Sequence, residues 1–203
     1  MFVKICGLST EHDISAAIGA GADAVGFVFA ESARRVDPVH AAKITSGVPA
    51  GVKRVAVMLH PTNDEWQEVL AEFAPDVLQT DAGDFENLDV PESVDCWPVF
   101  REGNRVTDTL KVGLKVSVTS FLYEGAQSGQ GETVDWSNAA ELAKNGNMIL
   151  AGGLSAENVG RAIQVVRPYG VDVSSGVESA PGEKDSQKIR DFIIAAKAAG
   201  NNL

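Results

Sequence analysis

Met148-Ile149-Leu150-Ala151-Gly152-Gly153-Leu154-Ser155-Ala156-Glu157-Asn158 is an apolar run that gives way to two glycines and then to polar residues suited to the start of a helix. The same grammar returns at Val171-Asp172-Val173-Ser174-Ser175-Gly176. Each reads as a buried strand ending in small residues, where main chain can approach a ligand closely. A helix starting at Ser155 would point unpaired N–H groups and the positive end of its dipole at an anion. Glycines here also serve tight turns in general, so one such loop says little. Two of them in successive strand-to-helix turns match the phosphate site that barrels of eight β/α units build after strands seven and eight. The pair therefore predicts a parallel barrel acting on a sugar phosphate, with Gly152, Gly153, Ser174, Ser175 and Gly176 as the phosphate cradle.

Working outward, short runs rich in Val, Ile and Phe recur at 3–6, 24–29, 54–59, 76–79, 97–100, 120–123, 148–151 and 171–173, which makes eight strands. Helical stretches lie between them: 10–20, with Thr10 as N-cap and Gly21 past the end; 38–46, with Asp37 as cap and Pro38 in the first turn; and 63–73. Others run over 137–144, 155–166 and 185–199. Near-continuous apolar strands alternating with helices imply a parallel sheet covered on both faces or closed on itself, and eight units favour closure. The irregular part is 81–118: residues 81–93 hold only a short helix, and Gly103 to Ser117 read as an extra strand pair in place of a fifth helix. An open doubly wound sheet is the alternative, but Cys6-Gly7-Leu8-Ser9 lacks the G-x-G-x-x-G spacing of a dinucleotide turn, which disfavours NAD.

The chain has 203 residues, and no Pro/Gly/Ser-rich linker or charge run divides it, so residues 1–203 are expected to form one barrel domain. Seventeen Lys and Arg against 28 Asp and Glu give a formal charge of −11, which argues against nucleic acid and anionic membranes as partners. A small anionic substrate stays possible, because main-chain donors and one or two local arginines can hold it. The chain enters strand-like sequence at Phe2 without the basic segment and apolar run of a secretory signal, and no stretch approaches the length of a membrane span. Its two cysteines, Cys6 and Cys96, sit far apart in apparent strands, so a reducing cytoplasm is the expected compartment.

In a parallel barrel the polar residues closing each strand surround one pocket. Here they are Cys6, Arg34, Thr80, Asp81, Arg101, Glu124, Gly152-Gly153, Asp172 and Ser174-Ser175. None is histidine; His12, His40 and His60 fall in or beside helices without metal-ligand spacing, so no metal site is expected. Cys6 suits a base or nucleophile, since a thiol needs modest help to ionise near neutrality, and Lys4 on the same strand face offers that help. A strand cysteine can equally be a small buried hydrophobe, but the place of Cys6 before Gly7 argues for the barrel mouth. Glu124 ends strand six and precedes Gly125-Ala126-Gln127-Ser128-Gly129-Gln130-Gly131, a loop read as flexible enough to close over a ligand; the carboxylate could otherwise cap a helix or pair with an arginine. A sugar held between strands one and six would meet a base on one side and an acid on the other.

These segments resemble the phosphoribosylanthranilate isomerase family. The resemblance is carried by Lys4-Ile5-Cys6-Gly7-Leu8, Gly21 to Phe29, Ser32-Ala33-Arg34, Val134-Asp135-Trp136, Ala151-Gly152-Gly153-Leu154 with Glu157-Asn158-Val159, and Val171 to Glu178, in order along nearly the whole chain. It implies a cofactor-free Amadori rearrangement in tryptophan biosynthesis, with Cys6 as general base and a carboxylic acid at Glu124 where the family has aspartate. It further implies that Asp172 orients the substrate amine. Arg34 has a fork suited to a planar carboxylate such as that of anthranilate. Where the family carries Gln-Leu-His-Gly after strand four, this chain has Val77-Leu78-Gln79-Thr80-Asp81, with Thr80 in place of the histidine and altered contacts to the anthranilate ring expected. For Glu124 to hold a proton near neutrality its pKa must be raised by burial or by a second carboxylate, and Asp172 is the expected neighbour. Two other functions are the alternatives: a silent phosphosugar-binding barrel that keeps the cradle, and a dual-substrate isomerase serving histidine biosynthesis as well, which would need phosphate grips at both ends of the barrel mouth where a clear one is legible only at strands seven and eight. A monomer or homodimer is expected.

Overall fold

A computed structural model describes residues 1–103, 118–125 and 133–202. Eight parallel strands close into a barrel in sequence order: β1 (Phe2–Cys6), β2 (Ala24–Val28), β3 (Lys53–Val57), β4 (Val77–Asp81), β5 (Asp95–Arg101), β6 (Phe121–Glu124), β7 (Met148–Leu150) and β8 (Gly170–Val173). Closure joins β1 to β8 through Lys4↔Asp172 and Ile5↔Val173, and to β2 through Lys4↔Ala24 and Cys6↔Gly26. The extra strand pair expected within Gly103 to Ser117, the replacement it implied for a fifth helix, and the Ala126 to Gly131 part of the expected closing loop lie outside the described residues.

Around the barrel run α1 (Glu11–Ala20), α2 (Pro38–Ile44), α3 (Asn63–Phe73), α4 (Trp136–Ala143), α5 (Val159–Val166) and α6 (Ser186–Gly200). Their starts follow local chemistry. The Thr10 hydroxyl accepts from the N–H of Asp13, Asp37 caps two N–H groups of α2, and Asp185 caps two of α6. Thr62 and Glu65 cap α3 reciprocally, a capping box. Gly21 ends α1 with φ 99°, a left-handed conformation that a side chain would strain. Between β4 and β5 the expected short helix is a 3-10 segment, Ala82–Asn87. A hairpin of β9 (Glu178–Ala180) and β10 (Glu183–Lys184) follows β8.

The one element that starts late is α5. Residues 155–158 form a turn, because the Asn158 side chain accepts from the Ser155 N–H at 2.9 Å and donates to the Gly153 carbonyl at 2.8 Å. The helix then begins at Val159, so Ser155 does not offer the free N–H that a helix start there would have supplied.

Strand alternation divides the core in two. Outward-facing residues such as Val3, Ile5, Val25, Phe27, Ala56 and Leu78 pack against the helices. Inward-facing Ala24, Val55, Val77, Trp97, Val99, Leu122 and Ile149 fill the barrel interior. The same alternation carries the inward set upward to Cys6, Gln79, Asp81, Arg101, Glu124 and Asp172 at the mouth. No helix among the described residues is long and apolar enough to cross a membrane.

Candidate active site

A cavity of about 330 Å³ opens at the C-terminal ends of the strands. Cys6, Arg34, Glu124, Gly152, Gly153, Asp172, Ser174 and Ser175 all line it, whereas Gly176 lies behind, against the Leu154 loop. A Cβ on Gly176 would fall 2.0 Å from the Leu154 carbonyl oxygen, so only glycine lets the two loops meet. Gly152 and Gly153 adopt φ 89° and 58°, which turns the main chain sharply at the end of β7. Among the described residues, none accepts a hydrogen bond from the N–H of Gly152 or Gly153.

At the floor of the cavity Lys4 is wholly buried and donates to Asp172 Oδ1 at 2.9 Å. Burial works to lower the pKa of this ammonium, but Asp172 and Cys6 outweigh it and leave it above its ordinary value. Gly26 on β2 makes this possible: a Cβ there would lie 3.1 Å from Lys4 Nζ and 3.2 Å from Cys6 Sγ. Cys6 is 6 % exposed and shares the cavity with these charges rather than being sealed in hydrocarbon. Burial pushes its thiol up, Lys4 and Lys184 draw it down, Asp172 pushes it further up, and the upward shift prevails. Lys4 thus favours the ionised thiol, and burial works against it.

Glu124 sits across the cavity beside Arg101, its register partner on β5. Arg101 Nη1 donates to Glu124 Oε1, while Nη2 and Nε reach Asp81 at 2.6 and 3.3 Å. The carboxyl is nonetheless held above the ordinary carboxylate range: burial raises it most, Arg101 opposes, and Asp172 and Asp81 add to the rise. Asp172 thus acts on Glu124 in the expected direction, and the pairing with an arginine, the other role open to that carboxylate, is present as well.

Arg34 is not a solvated surface residue. Its Nε and Nη2 grip Glu178 at 2.7 and 2.9 Å, and Nη1 has no side-chain partner among the described residues. Lys184, from the β9–β10 hairpin, donates to Glu178 Oε1 at 2.7 Å and to the Ser174 carbonyl at 3.0 Å, tying this ion pair to the glycine-serine loop. Thr80 does not reach the cavity: it is fully buried on the outward face, and its hydroxyl donates to Asp84 at 2.5 Å. The position facing the cavity after Gln79 is Asp81.

Sequence reasoning passed over Gln79, His60, Glu178 and Lys184. Gln79 lines the cavity at 5 % exposure, and its Oε1 has no partner among the described residues. His60 stands with Nδ1 3.0 Å from Asp84 and Nε2 3.6 Å from Asp81. Strand alternation from Val77 would have flagged Gln79, and no local pattern marks the others. Among the described residues, no three His, Cys, Asp or Glu side chains gather as a metal site.

A family model described as N-(5'phosphoribosyl)anthranilate (PRA) isomerase matches residues 3–195. The N-(5'-phosphoribosyl)anthranilate isomerase of Listeria innocua is 39% identical over 211 residues, which cover 98% of this chain and 100% of the relative. The phosphoribosyl anthranilate isomerase of Thermus thermophilus superposes with a TM-score of 0.85 at 31% identity, covering 98% of this chain and 99% of that one. A phosphoribosyl anthranilate isomerase in complex with reduced 1-(o-carboxyphenylamino)-1-deoxyribulose 5-phosphate superposes with a TM-score of 0.80 at 31% identity, with the same coverage.

Proposed function

The chain belongs to the N-(5'-phosphoribosyl)anthranilate isomerase family and performs its isomerisation in tryptophan biosynthesis, and on that premise we propose that Cys6 is the general base and Glu124 the general acid. The observation that supports these roles is their common cavity, with an upward-shifted carboxyl on β6, a thiol beside two lysines on β1, and a glycine-serine cradle between them on β7 and β8. The substrate is N-(5-phosphoribosyl)anthranilate and the product 1-(2-carboxyphenylamino)-1-deoxyribulose 5-phosphate.

Protonated Glu124 donates to the ring oxygen of the ribose, the C1–O bond breaks, and the nitrogen lone pair forms an iminium at C1. Cys6 thiolate then takes the proton from C2; the C–H pair becomes the C1–C2 double bond, and the iminium pair returns to nitrogen. The resulting enolamine tautomerises to the ketone. Asp172, fixed by Lys4, orients the amine. Arg34 offers Nη1 to the anthranilate carboxylate while Glu178 holds the other side of its fork. Main chain at Gly152-Gly153 and at Ser174-Ser175-Gly176 receives the phosphate.

Chromatographic separation of substrate from product, followed over time, tests the roles. Cys6→Ala and Glu124→Gln each lower turnover by about 10²–10⁴ while substrate still binds. Wild-type turnover in either variant contradicts the assignment of that residue.

A further inference from the structure

Arg101 stands between two carboxylates on neighbouring strands. On one side its register partner is Glu124; on the other, two of its nitrogens reach Asp81. All three line the cavity, and the Arg101 side chain is 14% exposed. A guanidinium paired with Glu124 alone would stabilise the carboxylate and spoil it as an acid. The same guanidinium paired with Asp81 as well has its charge already matched, so protonating Glu124 leaves a neutral Asp81–Arg101 pair behind rather than an isolated buried cation.

We propose that Arg101 is a positioning residue for Glu124 and that Asp81 is the counter-charge that lets Glu124 carry a proton while still anchored. The proposal rests on the reading of Glu124 as general acid and explains how a glutamate serves there. A longer carboxylic side chain has one more rotatable bond, and a fork from the adjacent strand removes that freedom. Other charged groups face the same carboxyl from the elements around it. Asp172 on β8 adds negative charge, Lys4 and Cys6 on β1 lie beyond it, and His60 after β3 touches Asp81 at 3.6 Å and Asp84 at 3.0 Å.

The pH dependence has a definite sign. Burial raises the Cys6 thiol above its ordinary value and the Glu124 carboxyl above its own; with the carboxyl keeping its ordinary place below the thiol, it titrates first. The reactive form, acid protonated and thiol ionised, is then a constant small fraction between the two pKa values. The acid limb of kcat/KM therefore reports Glu124 and the alkaline limb Cys6.

The test is the pH profile of kcat/KM, read as the difference from wild type, for Asp81→Asn and Arg101→Lys, with Glu124→Gln as control and circular dichroism to establish that each variant is folded. Asp81→Asn leaves Arg101 unmatched, moves the acid limb to lower pH by roughly half to one unit, and lowers the plateau about three- to tenfold. Arg101→Lys keeps the charge and loses the fork, so kcat falls about tenfold while KM changes less than about twofold. An unmoved acid limb in folded Asp81→Asn, or wild-type kcat in folded Arg101→Lys, overturns the proposal. Turnover by Glu124→Gln would instead sink the acid reading itself, so the two failures are distinguishable.

Discussion

Glu178 joins stability and function in one side chain. Its carboxylate lies between Arg34 and Lys184, nearly out of solvent, with the Lys184 side chain fully buried. Burial pushes its pKa up, but the two cations outweigh burial and hold it below the ordinary carboxylate range. Its contribution to stability is thus fully present above the ordinary value and is lost as pH falls through the lower folded one. Glu178→Gln leaves Lys184 buried without its partner and is expected to cost about 3 kcal/mol at neutral pH. Urea unfolding checks this, and the difference from wild type shrinks in acid. Gly176→Ala, whose methyl meets the Leu154 carbonyl, is expected to cost about 1–3 kcal/mol and to raise KM by parting the loops that follow β7 and β8; unaltered KM would contradict the proposal that these loops hold the phosphate. Cys6, Arg34, Glu124 and Asp172 were legible as pocket residues because each closes an apolar run. Glu178 was not, because its tie to Arg34 spans 144 positions and leaves no local trace.

At the scale of elements, caps and glycines made the helices readable, and paired side chains spoiled the boundaries. The span 63–73 coincides with α3, and Thr62→Ala, which removes its cap, is expected to lower stability by about 1 kcal/mol with turnover unchanged. A thermal melt and the turnover assay check both halves. The helix α5 starts later than its sequence suggests because the Asn158 side chain bonds Ser155 and Gly153, shaping the loop after β7 rather than extending the helix. In β4 the strand runs on to Asp81, two residues past the apolar run, so the sequence reading put Thr80 where alternation puts Asp81. The polar ends of strands are where apolar patterning stops and function begins. They are therefore where boundaries are hardest to see.

For the whole molecule, counting apolar strands separated by helices was enough to reach a closed parallel barrel, because that architecture hides eight two-sided hydrophobic strands at once. What counting does not supply is the charge arrangement inside the mouth. A chain of net charge −11 sets Arg34 and Arg101 in the cavity wall and Lys4 and Lys184 behind it, each answered by a carboxylate: Glu178 and Glu124 for the arginines, Asp172 for Lys4, and Glu178 of the same hairpin for Lys184. Those pairings depend on strand register and on the room that Gly26 leaves, which emerge only on folding. The most direct test is a crystal structure of this protein with the reduced product bound. The predicted result places Cys6 Sγ within about 3.5 Å of C2 and the Glu124 carboxyl about 3 Å from the oxygen that left the ring. The phosphate would lie on the Gly152-Gly153 and Ser174-Gly176 main chain. Asp172 or a water molecule alone against that oxygen, or Sγ turned away from C2, would contradict the account.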